Sequence, residues 1–511
     1  VVGRCTSVSG VEMGWRDWFK RKTEVKVVRK FQGAVYDRLV SDWMASSNSL
    51  DADLRKDLKT LRQRARDLGQ NNDYVRNALR VIENNVVGQG ISMQASVRMR
   101  RGGRMDDAAN SAIEASWAKW KRARYCHVAG ILSFADIERL AIRSAAESGE
   151  VFIRMVRQAM GGGRVPLSLE VIEADRLDVD LNEVARNTGN DIRMGIERDQ
   201  WGRPVAYHFR VQHPGDYPLA TGTTDSRTVR VSADEVLHLY RVERPGQTRG
   251  FPWIASAIMR MHHLNGYTEA EVIAARAEAC RMGFITSPED DAMQDVTMDD
   301  QPVSNFEPGK IERLLPGETY QEAKPARPGG QYEPFVRAML RSMAAGIGVS
   351  YATLSRDYSE SNYSSSRLSL LDDRDQWRVL QSWMIECFHR RVFEEWLDRA
   401  VLSGELQLAQ YELNPAPFRE VRWIPRGWQW VDPAKEMGAY KEAVRCGFTT
   451  LADVVAQQGG DLEDLMQQRR RELDMAEALD LAFDTDPHET MENGEPQPED
   501  IEEDAAEETP T

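Results

Sequence analysis

The chain has 511 residues, 41% of them hydrophobic and 29% charged, a balance that fits about two to four domains with sizeable cores. No run approaches the roughly 18 apolar residues of a membrane span. Net charge is −15, yet twelve carboxylates and no Lys or Arg lie between positions 484 and 511, so residues 1–483 carry only −3; such a body has no global basic field for gripping nucleic acid, and any DNA contact has to be local or transient.

Residues 13–30 hold seven Lys or Arg against two acids, with Trp15, Trp18 and Phe19 among them. They read as a disordered basic arm, or more sharply as a docking arm for an acidic partner or a membrane surface. Met13 is the expected biological start. Residues 50–87 read as a helical pair. Asp51 or Asp53 caps the first helix, Leu54, Leu58, Leu61, Ala65 and Leu68 form its stripe, and Gly69 breaks it. The second turns Val75, Leu79, Ile82 and Val86 inward, and the glycines of 87–91 lead into a short strand.

Helices follow at 108–120, with Ile113, Trp117 and Trp120 inward, and at 134–147, ending at Gly149. Strands are expected at 151–156, 167–172, 192–197, 205–211, 228–231 and 236–240, with a hairpin turn at 199–202. Residues 30–250 thus form one α+β domain. Pro252 opens a long helix to about residue 282, striped by Ile254, Ile258, Met261, Leu264, Val272, Ala275 and Ala279. An insertion at 284–331 is expected to hold a strand pair at 310–315 and 318–321.

The stretch 332–404 organises the rest. A helix with Phe335, Val336, Met339, Leu340 and Met343 inward stops at Gly346-Ile-Gly348. A Ser/Tyr/Asn-rich loop to 367 follows, too polar to be buried and too poor in Gly to be slack. A helix over 368–401 then carries Leu371, Trp377, Leu380, Trp383, Met384, Phe388, Val392, Phe393, Trp396 and Leu397. A strand at 418–424 and helices at 435–445, 451–457 and 462–479 complete the order, with Thr449 or Thr450 capping the middle one. Residues 480–511 fit a solvated, disordered tail.

Motifs for catalysis are missing. There is no GxxxxGK[ST], HExxH or GxSxG, and the eight histidines lack ligand spacing. Asp372, Asp373 and Asp375 sit beside Arg374 and Arg378, the pattern of a salt-bridged helix face rather than a metal site. Cys5, Cys126, Cys280, Cys387 and Cys446 form no CxxC pair and read as reduced thiols. No metal, cofactor or catalytic residue is expected.

Four residue groups carry a resemblance: 65–74 (ARDLGQNNDY) with 84–91 (NNVVGQGI), Gly250-Phe-Pro-Trp253, 361–367 (SNYSSSR), and Asp432-Pro-Ala-Lys-Glu436. Each alone is unspecific. In this order, over about residues 30–480, the chain resembles the lambda-like portal family of tailed phages. The resemblance implies an α+β portal fold and a ring of about twelve subunits at one capsid vertex. It passes double-stranded DNA in packaging and ejection and carries no ATPase of its own. It implies a basic arm (1–29), a wing (30–251), stem helices (252–283 and 332–347), a clip (284–331), a tunnel loop (348–366), the wing's long helix and return strand (367–429), a crown (430–480) and a tail (481–511). It implies a virion location, host cytoplasm during assembly, and no membrane. The terminase large subunit, head–tail connector, and major capsid and scaffold proteins are the implied partners.

On this reading Ser359, Asn362, Tyr363, Ser364 and Ser365 offer DNA weak, sequence-blind hydrogen bonds, while Arg356 and Arg367 brush phosphates, offset by Asp357 and Glu360. Glu289, Asp290, Asp291, Lys310, Glu312 and Arg313 are the expected clip contacts. A non-viral helical scaffold joined through 252–283 and 332–347, and a hydrolase using the carboxylates near Asp372, are the alternatives. Deleting residues 352–364 is expected to spare ring assembly and impair DNA retention or packaging.

Overall fold

A computed structural model describes residues 47–98, 105–216, 227–279, 283–286, 319–322, 332–359, 362–428, 432–479 and 481. The basic arm, the acidic tail and most of the insertion at 284–331 lie outside these residues. The chain divides into Val1–Asn48 and Ser49–Thr511, and the elements below belong to the second unit.

Helix α1 (Leu50–Asn71) is capped by Ser49, which accepts the Ala52 N–H, rather than by Asp51 or Asp53. Asp51 is buried and accepts from the backbone N–H and hydroxyl of Thr248. Gly69 does not break the helix. It lies where α1 passes close to a neighbour, since a Cβ there would come within 2.3 Å of the Glu147 carboxylate. The break falls at Asn72, whose side chain accepts the Val75 N–H and starts α2 (Asp73–Val86). The expected inward residues of α2 are buried. β1 (Ser92–Ala95), α3 (Asp107–Trp120), α4 (Ala123–Cys126) and α5 (Phe134–Ser148) follow. A Ser133–Asp136 capping box opens α5 and left-handed Gly149 closes it.

The strands form antiparallel sheets. β2 (Glu150–Val156) is central between β3 (Ser168–Ile172) and β9 (Val236–Tyr240). A five-stranded sheet runs in chain order through β4 (Glu183–Val184), β5 (Asp191–Arg193), β6 (Ile196–Arg198), β7 (Pro204–Arg210) and β8 (Thr228–Ser232). The single strand expected at 192–197 is therefore two strands. Met194 and Gly195, at φ 45° and 83°, turn between them, a conformation that extended backbone excludes. The turn at 199–202 joins β6 to β7 as expected.

Helix α6 (Ile258–Ala279) begins later than Pro252, because Trp253 gives its N–H to Ala146 O of α5 and residues 253–257 form turns. Ile254, Ile258, Met261 and Leu264 are buried, whereas Val272 of the same expected stripe is exposed. β10 (Gly283–Thr286) pairs antiparallel with β11 (Thr319–Glu322). The strand expected at 318–321 thus exists, but its partner is 283–286; residues 310–315 lie outside the described residues. α7 (Tyr332–Ile347) returns beside α6, with the Tyr267 and Tyr332 rings stacked at 5.7 Å.

Residues 351–355 are not loop. Helix α8 (Tyr351–Ser355) interrupts the polar segment, with Leu354 buried. α9 (Tyr363–Met384) starts five residues ahead of the expected helix, passes through a π turn at Ile385–His389, and continues as α10 (Arg390–Leu402). β12 (Val421–Ile424) pairs with β1, Ser92 opposite Ile424. α11 (Pro433–Arg445), α12 (Leu451–Gln457) and α13 (Leu462–Ala478) are capped by Asp432, Thr450 and Asp461. They rest on the β1–β12 ribbon through Gln94–Asp461 (3.0 Å) and Arg422–Asp453 (2.8 Å).

Two large cores result. One gathers Trp117, Trp120, Phe134, Phe388, Phe393 and Trp396 between α3, α5 and α10. The other gathers Leu79, Ile82, Met261, Met343, Leu354 and Trp377 between α2, α6, α7, α8 and α9. Beside them lies a buried ionic knot. The Glu150 carboxylate accepts from Arg62, from Arg249 Nε (2.7 Å), from Gly250 N (2.8 Å) and bonds His238 Nε2 (2.9 Å). Burial works to raise its pKa, but Arg249 and Arg62 outweigh that and hold the carboxyl well below the ordinary 4.5. Burial pulls Arg62 down to about 10, Glu150 opposing, and lowers His238 below 6.5.

Acidification adds protons to Glu150 and His238 more readily in the unfolded chain than in the folded one. Their contribution to stability is thus full at neutral pH, declines as pH falls below about 6.5 for His238, and is lost for Glu150 as pH falls through its depressed pKa. Glu150→Gln leaves two buried guanidiniums without their countercharge and is expected to cost about 3–5 kcal/mol. Urea denaturation at pH 7.5 and 5.0 checks both statements; an unchanged midpoint in the variant would contradict the structural role given to Glu150.

Candidate nucleic-acid interface

The polar segment is built by local capping. Gly348, at φ 84°, ends α7, and the N–H groups of Gly348 and Val349 both reach Ala344 O. Ser350 caps α8 by accepting the Thr353 N–H. At its other end the Asn77 carboxamide of α2 donates to Thr353 O and Leu354 O, 2.9 Å each, satisfying carbonyls that a helix end leaves open. Arg356 then turns left-handed (φ 59°), and its Nε donates to Asn77 Oδ1 at 3.2 Å. For a residue with a Cβ that geometry costs about 1–2 kcal/mol, which the Asn77 contacts offset.

Asp373, buried on α9, clamps the same short helix. Its carboxylate accepts from Ser350 N (2.8 Å), Ser350 Oγ (2.8 Å) and Thr353 Oγ1 (2.6 Å). Asp357 accepts from Ser359 Oγ (2.6 Å), Ser359 N (3.0 Å) and the Tyr351 hydroxyl (2.8 Å). These bonds, Ser359's first, lower its pKa to about 2. The turn after α8 is therefore short; among its described residues Arg356, Tyr358 and Ser359 are exposed, and it closes where Asn362 and Ser365 form the box that starts α9.

Arg356 and Ser359 stand in this turn, Asn362 at its end, and Tyr363, Ser364, Ser365 and Arg367 on the first turns of α9. The structure brings them into one stretch, but partly on a helix rather than in a loop. The side chains of Ser359, Asn362, Ser364 and Ser365 are exposed. Both cations have protein partners: Arg356 bonds Asn77, and Arg367 pairs with Glu436 of α11 at 3.4 Å. A groove of about 530 Å³ beside them is lined by hydroxyls, among them Ser350, Tyr351, Tyr358, Ser365 and Ser366, and by one cation and one anion, Arg341 and Asp357. Its charged groups are each engaged within the chain, Arg341 over the Tyr351 ring, Asp357 by Tyr351 and Ser359, Arg356 by Asn77 and Arg367 by Glu436, so what the surface offers a passing polyanion is mainly weak hydroxyl hydrogen bonds. Glu289, Asp290, Asp291, Lys310, Glu312 and Arg313 lie outside the described residues.

The carboxylates near Asp372 do not converge. Asp373 faces inward on α8, while Asp375 pairs with Arg378 at 2.7 Å. Elsewhere Glu173, Asp175 and His213 lie near enough to share a cation. The Arg66 guanidinium, however, lies against both carboxylates, 2.9 Å from Glu173, and a bound metal would have to displace it. Asn77 escapes the sequence reading, and Asp373, expected there on a salt-bridged helix face, is instead buried against Ser350 and Thr353. Each is a polar residue on the inward face of a helix, Asp373 one turn before Trp377, and that misplaced polarity is the signal that marks such clamps.

Comparison with known proteins gives these features a setting. Residues 36–381 match the model of "Phage portal protein, lambda family". The probable portal protein of Halomonas phage phiHAP-1 is 34% identical over 463 residues, covering 88% of this chain and 86% of its own. Portal protein B of Escherichia phage lambda is 22% identical over 476 residues, 86% of this chain and 88% of its own. Among solved structures, a chain from the neck of an empty gene transfer agent particle aligns with a TM-score of 0.43 at 15% identity, covering 79% of this chain and 94% of that one. With a family model spanning more than half of its length and a relative of this identity over most of both chains, the chain belongs to the lambda family of phage portal proteins.

Proposed function

We propose that copies of this chain close into a ring at one capsid vertex and that its axial channel passes double-stranded DNA inward during packaging and outward during ejection. Members of the family are structural proteins, so the chain is not an enzyme, and the family also removes the reading as a non-viral scaffold. In the proposal, residues 30–251 and 367–429 act as the wing, α6 and α7 as the stem, and 284–331 as the clip that meets the terminase and then the head–tail connector. Residues 356–367 face the DNA, and 430–480 form the crown.

The observation that carries the reading is the state of the two arginines flanking the turn. Arg356 donates to Asn77 and Arg367 pairs with Glu436, and among the described residues between them Ser359, Asn362, Ser364 and Ser365 are exposed. Tight phosphate contacts would stall a sliding duplex, since each adds a salt-dependent binding term. Short neutral side chains make contacts that any base sequence satisfies and any step along the strand breaks.

Native mass and electron microscopy of the purified protein test the ring; monomers under all assembly conditions, or a particle with no axial opening, would overturn it. The deletion that tests the turn has to be shorter than residues 352–364, because Leu354 belongs to the second core and Thr353 bonds Asp373. Removal of 357–361 is expected to leave ring mass unchanged and to lower packaged DNA in an in vitro packaging reaction; normal packaging, or loss of the ring, would contradict the role. Ser359→Lys is expected to slow packaging and to steepen the salt dependence of duplex binding by about one unit per phosphate newly contacted.

A further inference from the structure

Residues 1–483 carry a net charge of only −3, yet six cations gather where α3 ends. Lys119 and Lys121 stand at the end of α3, Arg122 and Arg124 at the start of α4, and Arg157 and Arg164 in the turn between β2 and β3. Lys121 is half-buried and the other five are exposed. Two contacts join these segments. Arg124 Nε donates to Gly161 O at 2.7 Å, and Glu405 pairs with both Lys119 (2.7 Å) and Arg164 (3.7 Å). Gly161, at φ 60°, permits the approach, since a Cβ there would lie 2.3 Å from Arg124 O.

This surface is short of countercharge. Glu405 serves two of the six cations, and Glu395 is divided between Arg157 (3.0 Å) and Arg399 (2.9 Å). Of the other acids around it, Glu114 accepts from Ala95 N, Asp136 pairs with Arg139, Glu138 with His389, and Glu170 with Arg154 and Arg176. Among the described residues no carboxylate pairs with Lys121, Arg122 or Arg124. A helix C-terminus favours cations, which accounts for Lys119 and Lys121 but not for the arginines brought in beside them. Cations crowded in this way repel one another, and a polyanion laid over them removes the repulsion.

We propose that the acidic segment 484–511 of the same chain docks on this surface and supplies its countercharge. The segment holds twelve carboxylates and no Lys or Arg, and it is tethered within reach. Asp461, the cap of α13, accepts from Gln94 of β1 (3.0 Å), and the next residue of β1, Ala95, donates to Glu114 of α3 (2.7 Å). α13 is about 25 Å long, so whichever way it points its far end lies within about 60 Å of the end of α3. Residues 482–511 can span about 100 Å. Exposed ion pairs are individually weak, but a tether holds the segment at an effective concentration on the order of millimolar. The basic arm is a poorer match for it: Trp15, Trp18 and Phe19 call for apolar cover, and residues 484–511 include no aromatic residue. Nucleic acid shares the segment's charge without its tether, so a duplex has to displace it. One chain suffices for the contact, which stands or falls apart from the ring reading.

Full-length protein, light and heavy isotope forms mixed, is treated with a carbodiimide, which joins a lysine amine to a carboxylate in direct contact. Links from Lys119 or Lys121 to residues 484–511 of the same chain are expected by peptide mass spectrometry at about 50 mM salt. They are expected to fall about tenfold at about 0.5 M salt, where screening is far shorter in range. Arg122→Lys with Arg124→Lys keeps the charge and adds amines at the centre of the surface; new links from both positions to the segment are expected. Arg122→Glu with Arg124→Glu is expected to lower the Lys119 and Lys121 links about tenfold, and the lysine pair decides if this variant fails to fold. Links confined to Lys20, Lys22, Lys26 or Lys30 of the arm, links between light and heavy chains, or no links at all would overturn the contact. Missing links together with duplex binding that the glutamate pair abolishes would overturn it in favour of nucleic acid.

Discussion

One buried carboxylate sets the geometry from which the rest of the fold extends. Glu150 begins β2, and its four partners come from α1 (Arg62), β9 (His238) and the segment just before α6 (Arg249 and Gly250). Burying such a set returns little net stability, because desolvating the charges costs about as much as pairing them gains. What it fixes is direction. A carboxylate with this many donors has one arrangement that satisfies them all, and that arrangement holds Gly250 against Gly149 so closely that a Cβ on Gly250 would lie 2.1 Å from Gly149 O. The chain thus leaves the sheet for α6 at a defined point and angle.

The long helix meets the same demand by another device. α9 belongs to the second core through Trp377, whereas the π turn and α10 belong to the first, through Phe388 and through Val392, Phe393 and Trp396. The π turn at Ile385–His389 inserts one residue, about 100° of rotation, where the helix changes cores. His389 stabilises the irregularity from inside. Its Nδ1 lies 3.1 Å from Met384 O, its Nε2 bonds Glu138 of α5, and the rings of Phe134, Phe388 and Trp423 surround it.

Much of this was legible in the sequence wherever one signal acts alone. The 332–347 helix, the three C-terminal helices and the 199–202 turn follow from periodicity and capping residues that no tertiary contact opposes. The misses share a cause. Gly69 reads as a breaker until α5 is known to cross it, and Met194 reads as strand until Gly195 turns beside it. The segment after Gly348 reads as loop because its helix is specified from outside, by Asn77 almost 280 positions earlier and by Asp373 on α9. Spacing along the chain carries no trace of such partners. The residues of the candidate interface were found by composition, a run of hydroxyls. The partners that hold Arg356 and Arg367 were not, since Asn77 and Glu436 are remote in sequence.

The first half of α9 has a mechanical consequence for the turn it follows. Its inward anchors are Asp373 and Trp377; its other ties are polar or aromatic. Arg367 pairs with Glu436, and Arg374 and Arg378 lie over the Trp428 ring at 5.7 Å each. These ties lead to α11 and to the segment between β12 and α11, so the turn and the C-terminal helices share one helix as their support. Contacts of this kind open at lower free energy than a packed core. Within one chain, then, the polar turn sits on the end of α9 tied mainly by polar and cation–ring contacts, while α10 is packed in the aromatic core. A stiff base with a yielding tip suits the proposed passage of a regular, charged rod past the turn.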